Sequence, residues 1–140
     1  MIYKTDGEIE LLIERFENCT VSEKEWTHAA HLTAALWYCL REPDLETATG
    51  KMRDGIFKLN AAHNVPNTPT RGYHETLTVF WMRTVSDFLG NIKDRGSIAS
   101  LANEVIETCG DSGLPLKFYS RELLFSPAAR AKYIEPDLAK

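Results

Sequence analysis

Apolar residues recur every three or four positions along most of the chain, and this spacing predicts amphipathic α-helices. No segment of more than a few residues alternates between apolar and polar positions, as a half-buried strand would. The predicted helices cover, in order, residues 6–18, 28–42, 45–62, 73–90, 98–109 and 128–133. The pattern therefore predicts an all-α fold, a single compact bundle of about five main helices with a short C-terminal helix.

Residues that favour helix ends stand where the apolar pattern starts and stops. Thr5 and Glu8 have the spacing of a capping box, and Thr27 and Ser97 are suitable N-cap residues for the second and fifth helices. Gly110 follows the last apolar position of the fifth helix, as a C-terminal stop would. These local signals set the predicted boundaries.

Length and charge limit the classes of function. A chain of 140 residues fits one domain, and a domain of this length buries about 68% of its unfolded surface, so we expect a single helical domain over 1–140. The net charge of −4 gives no electrostatic reason to bind nucleic acid. No apolar run approaches the ~20 residues that span a bilayer, and the three cysteines are odd in number and widely spaced. We therefore expect a soluble cytoplasmic protein with no nucleic-acid or membrane partner.

Two of the four histidines stand three residues apart at the predicted start of the second helix. His28 and His31 lie within the stretch Trp26–Leu32. At this spacing both imidazoles leave the helix on the same side. They form the first candidate site cluster.

A second polar cluster marks the predicted start of the fourth helix. It contains Arg71, Tyr73, His74 and Glu75. The segment before it, 64–72, holds two prolines and a glycine and is longer than a simple helix connection requires, which is typical of functional loops. We expect the two helix starts to bring both clusters to one place.

Three interpretations of these clusters remain open. In the first, His28, His31, His74 and Glu75 are the ligands of a divalent transition metal, because three imidazoles and a carboxylate suit zinc, iron, nickel or manganese. In the second, the same side chains form a buried structural network between two helices. In the third, Arg71 and the histidines hold a small anion at a helix start, with His74 and Glu75 as candidate acid–base residues.

Aromatic and basic residues outside these clusters extend the candidate site. Tyr73 adjoins His74 at a loop-to-helix boundary, where its hydroxyl can reach a ligand. Tyr119 and Arg121 follow a proline-containing loop and are candidates to cover the same cleft. Trp81, at helical spacing, is expected in the core.

Three stretches together resemble a family of small uncharacterised bacterial proteins. They are WTHAAHL at 26–32, GYHETLT at 72–78 and YSRELLFSPAAR at 119–130. The resemblance implies a single-domain bacterial protein and draws attention to His28, His31, His74 and Glu75. It implies no activity and no catalytic residue.

Large apolar residues are spread around the second and fourth helices, among them Trp37, Tyr38, Trp81 and Met82. One small bundle does not easily enclose so many large apolar side chains, so we expect a homodimer.

No phosphate-binding loop, dinucleotide-binding motif or nucleophile elbow is present in the sequence. The sequence thus predicts a helical protein with a His/Glu pocket for a metal ion or a small anionic ligand, with or without catalysis. The alternative is a structural or interaction protein.

Overall fold

The computed structural model describes residues 2–138, and the regular structure in this range is helical. The helices are α1 (Asp6–Glu17), α2 (His28–Arg41), α3 (Leu45–Ala62), α4 (Glu75–Gly90), α5 (Ile98–Cys109), α6 (Arg121–Leu124) and α7 (Pro127–Ala131), with a 3-10 turn at Leu114–Lys117. No strand occurs in these residues, and one isolated β-bridge joins Thr68 to Arg71. The prediction of an all-α bundle is confirmed. No helix within 2–138 combines the length and the apolarity needed to cross a membrane.

The predicted caps hold the helix starts. The Thr5 hydroxyl accepts the Glu8 N–H while the Glu8 carboxylate accepts the Thr5 N–H, and Thr27 and Ser97 cap α2 and α5. Each such cap is worth about 1 kcal/mol. The start of α4 differs from the prediction, because the helix begins at Glu75 and its N-cap is a histidine, His74.

Helix α2 is the centre of the bundle and packs against α1, α3, α4 and α5. Its residues from Leu32 to Leu36 are all buried, and three of the five are small enough to let neighbouring helices approach closely. Helix α4 lies beside it, with Met82 and Val85 in the same core. This packing places the α2 start, with its two histidines, against α4.

The C-terminal segment packs against the start of α4, although the sequence predicted a loop over 111–120 and a tail over 135–140. The Thr76 hydroxyl donates to the Ala129 carbonyl at 2.6 Å and accepts the Ile134 N–H. The Leu138 N–H donates to the Phe118 carbonyl. The described part of the predicted tail is therefore held on the body of the protein, and 139–140 lie outside the described residues.

The large apolar residues of α2 and α4 are covered by the chain itself. Tyr38 and Met82 are buried, and Trp37 and Trp81 are half-buried. The Arg41 guanidinium lies 4.1 Å above the Trp37 ring, and His28 packs on Trp81. We expected a homodimer because one bundle would leave such residues exposed. At these four positions the side chains are at least half-buried, so they do not provide that reason.

Candidate functional site

A cavity of about 520 Å³ lies between α2, α3 and α4, and three histidines, His28, His31 and His74, line it. Its apolar wall is formed mainly by Trp26, Ala35, Met52, Ile56, Leu77 and Trp81. The volume falls within the range of about 300–1,000 Å³ that is typical of small-molecule sites. The three histidines therefore lie around one cavity, as expected, whereas Arg71 and Glu75 of the second cluster do not line it.

The described part of the chain places no formal charge on the cavity wall. Within residues 2–138 no Asp, Glu, Lys or Arg lines the cavity, and most of its accessible wall is apolar. Polar side chains in the lining include the imidazoles, Asn60, Thr78 and Ser112. A charged ligand would lose its hydration here without gaining an opposite charge, so the cavity suits an uncharged molecule.

His31 presents a hydrogen-bond acceptor to the cavity. Its Nδ1 lies 2.9 Å from the Thr27 carbonyl oxygen, and because a carbonyl can only accept, Nδ1 carries the hydrogen. Nε2 therefore keeps its lone pair. Burial, in part against the Trp26 ring, whose centroid lies 4.1 Å from that of His31, lowers the pKa of His31 to about 4. The ring is neutral at pH 7.

His28 has an unsatisfied polar atom. It is the first residue of α2, its ring meets that of Trp81 edge-on at 4.5 Å, and its Nε2 is buried without a hydrogen-bond partner within residues 2–138. Burial lowers the pKa of His28, although the Cys109 carbonyl and the Asp111 carboxylate oppose the effect. A buried polar atom without a partner costs about 1–3 kcal/mol and is uncommon. His28 can therefore gain a hydrogen bond from a ligand.

His74 acts as a helix cap in this structure, and its contacts give no support to the prediction of a catalytic residue or metal ligand. Its Nδ1 accepts the Leu77 N–H at 3.1 Å, and its Nε2 donates to the Leu124 carbonyl at 2.6 Å. The side chain thus caps α4 and ties α6 to it. Neither nitrogen has a lone pair left for a metal ion or a substrate proton.

Glu75 is not among the residues that line the cavity, so the prediction of a general base or metal ligand there gains no support from the structure. Its two carboxylate oxygens accept from Arg53 Nε and Nη2 at 2.9 and 2.7 Å, and Tyr73 donates its hydroxyl to the first. Burial raises the pKa of Glu75, but the bonds from Arg53 and Tyr73 outweigh it and hold the pKa below its usual value. The carboxylate is committed to an ion pair.

The predicted set of four metal ligands is not assembled. Within residues 2–138 no three His, Cys, Asp or Glu side chains are grouped so that they could hold a metal ion. Hydrogen bonds occupy both ring nitrogens of His74 and the carboxylate of Glu75. Of the four predicted ligands, His28 and His31 alone keep a ring nitrogen that could bind a metal ion.

Three further candidates lie away from the cavity. Arg71 is exposed and pairs through its backbone with Thr68. Tyr119 is buried and donates its hydroxyl to the Ile134 carbonyl at 2.6 Å, and Arg121 is exposed above the Phe125 ring. The predicted anion site at the start of α4 gains no support either, because Arg71 does not line the cavity and His74 already caps the helix.

Tyr73 lines the cavity, as the sequence predicted, but the sequence analysis missed several other lining residues. Trp81, expected in the core, lines the cavity, as do Met52, Ile56 and Asn60 of α3. The predicted functional loop supplies Val65 and Gly72. The signal that could have found the α3 residues is their spacing of about four, which places them on one helix face.

No protein-family model, no curated protein and no solved structure matches the chain. The likeness of the three motifs to a bacterial family therefore stays a prediction. The structure gives two of the motifs a shared physical role, since His74 and Thr76 of the second contact Leu124 and Ala129 of the third. The function has to be inferred from the geometry of the site.

Proposed function

We propose that this protein binds a small, uncharged, largely apolar molecule in the cavity between α2, α3 and α4, and that the molecule carries a hydrogen-bond donor. The observation that carries the proposal is the buried Nε2 of His28, which has no partner within residues 2–138. Binding would offset the cost of that unsatisfied atom, because a ligand hydroxyl can hydrogen-bond to it in either tautomer of the His28 ring.

The polarity of the site supports a donor on the ligand. Nε2 of His31 is an acceptor because its Nδ1–H is bound to the Thr27 carbonyl. Both imidazoles are held neutral by burial, which lowers their pKa values. The acceptor at His31 favours a hydroxyl or an N–H over a carboxylate, which would bring only lone pairs.

The same features favour binding over acid–base catalysis. An efficient general base has a pKa near the working pH, and His31, with a pKa of about 4, is a weak base. A purely structural role for the histidines agrees with His74, whose two nitrogens are satisfied. It disagrees with His28, since a structural network gains little from a member left without a partner.

Three probes of matched shape test the proposal. 4-Propylphenol has a donor hydroxyl, 4-propylanisole replaces it by a methyl ether, and 4-propylbenzoate adds a charge. Calorimetry with the parent protein should show the phenol binding about tenfold more tightly than the ether, the value of one well-placed hydrogen bond, with the benzoate weakest. In His28→Leu the preference for the phenol over the ether should shrink.

A cavity-filling variant supplies the control. Ile56→Trp places a large side chain in the lining and should abolish binding of the phenol. Leu11→Trp adds the same side chain at an exposed position of α1, outside the cavity, and should leave binding unchanged. Absence of binding by all three probes, or equal binding in Ile56→Trp and Leu11→Trp, would contradict the proposal.

A further inference from the structure

A second cleft, of about 690 Å³, lies on the other side of Tyr73 from the cavity. It is bounded by α3, by the loop around Pro69 and by α7. Of residues 2–138, only Tyr73 lines both spaces. The cleft is therefore a separate candidate site, independent of the function proposed for the cavity.

Positive charge is concentrated in this cleft. Arg53, Arg130 and Lys132 line it with a single carboxylate, that of Glu75, in a chain whose net charge is −4. Within residues 2–138 the one ion pair in the cleft joins Arg53 to Glu75, while Arg130 and Lys132 form none. Two cationic side chains in the cleft thus lack a counter-charge.

Arg130 is fixed in position although its charge is uncompensated. Its Nη1 donates to the Gly72 carbonyl at 2.8 Å, and its Nε–H is buried without a partner within 2–138. A guanidinium held by a neutral carbonyl keeps most of its charge available, and arginine suits the planar recognition of carboxylates and phosphates. The side chain is therefore prearranged for an anion.

The Arg53–Glu75 pair shows that the cleft can hold an oxyanion. The carboxylate receives two parallel N–H bonds from the Arg53 fork and a third from the Tyr73 hydroxyl. A ligand carboxylate or phosphate beside it would meet Arg130 and Lys132 and would compete with Glu75 for Arg53. Glu75 thus acts as an internal competitor that weakens binding.

An apolar surface adjoins the charges. Phe57 stacks on Tyr73 with ring centroids 4.6 Å apart, yet it remains 40% exposed. Pro69, Pro127 and Ala131 complete this part of the lining. An aromatic ring of a ligand can pack against Phe57 while its anionic group faces the basic side chains.

The geometry points to a second ligand site, in which this cleft binds a small carboxylate or phosphate attached to an aromatic or apolar group. Phenyl phosphate and benzoate are the probes, with inorganic phosphate as the probe that lacks the ring. Binding is followed by two-dimensional amide NMR of the full chain at constant ionic strength. The phenyl compounds should shift the amides of Arg53, Phe57 and Lys132, and should leave that of Ala35, in the cavity, unmoved.

Two pairs of variants test the charges. Lys132→Gln should weaken phenyl phosphate binding by about two- to fivefold, as expected for a partly exposed charge pair, whereas Lys117→Gln, exposed and outside the cleft, should not. Glu75→Gln should strengthen binding, because it frees the Arg53 fork. Glu122→Gln, at an exposed acidic position outside the cleft, is its control.

Each outcome decides the inference. A structural role of Glu75 alone predicts that Glu75→Gln destabilises the fold without tightening the binding of either anion. Equal binding of phenyl phosphate by the parent, Lys132→Gln and Glu75→Gln would overturn the inference, as would shifts confined to the cavity. If inorganic phosphate binds as tightly as phenyl phosphate, the inference that the ligand carries an aromatic or apolar group is wrong. None of these results depends on ligands of the first cavity.

Discussion

Replacement of His74 by alanine should destabilise the protein by about 2–4 kcal/mol, while replacement of His28 by leucine should change stability by less than about 1 kcal/mol. The two residues look alike in the sequence, since each is a histidine at a helix start. In the structure both ring nitrogens of His74 are hydrogen-bonded, whereas Nε2 of His28 has no partner within residues 2–138.

The magnitude for His74 follows from its two hydrogen bonds. Loss of the bond from the Leu77 N–H removes an N-cap, worth about 1 kcal/mol. Loss of the bond to the Leu124 carbonyl leaves a buried acceptor unsatisfied, which costs about 1–3 kcal/mol. In His28→Leu the unsatisfied Nε2 disappears and an apolar contact with Trp81 remains, so the gain and the loss nearly cancel.

Urea unfolding at neutral pH, followed by far-UV circular dichroism, measures both changes. His74→Asn serves as an intermediate variant, because asparagine can cap α4 but does not reach Leu124, and it should recover about 1 kcal/mol of the loss. A loss below about 1 kcal/mol in His74→Ala, or equal losses in His74→Ala and His28→Leu, would refute the distinction between a structural and a ligand-facing histidine.

Two further predictions concern pH and packing. Because burial lowers the pKa of His31 to about 4 in the folded state, the unfolded chain binds more protons as the pH falls below about 6.5. Stability should therefore decrease by about 2–3 kcal/mol between pH 6.5 and pH 4, and His31→Gln should reduce that decrease in urea midpoints; an unchanged pH profile in the variant would contradict the assignment. In α3, Gly55→Ala would place a Cβ against the ring of Phe16 and should cost about 1–3 kcal/mol. Gly50→Ala in the same helix meets no atom within 4 Å and should stabilise by about 1 kcal/mol, and equal thermal melting shifts for the two glycine variants would contradict this account.

The sequence by itself determined the helices, because their signals act over a few residues. Thr5 and Glu8 are three positions apart, and Thr27 and Ser97 each cap a backbone N–H three residues ahead. Apolar spacing identified the faces that are buried, and the loop before Gly72 was correctly expected at the site. The meeting of the two histidine clusters was expected from their place at helix starts, but it depends on a tertiary contact that the sequence does not show.

Only the tertiary structure decided what each polar side chain does. Glu75 is committed to Arg53, which stands 22 positions earlier, and His74 to the Leu124 carbonyl, 50 positions later. Neither partner has a local sequence signal, so a metal site and a structural network were equally compatible with the sequence. The neutral state of His31 and the unsatisfied nitrogen of His28 arise from burial, which depends on the packing of several helices around these rings.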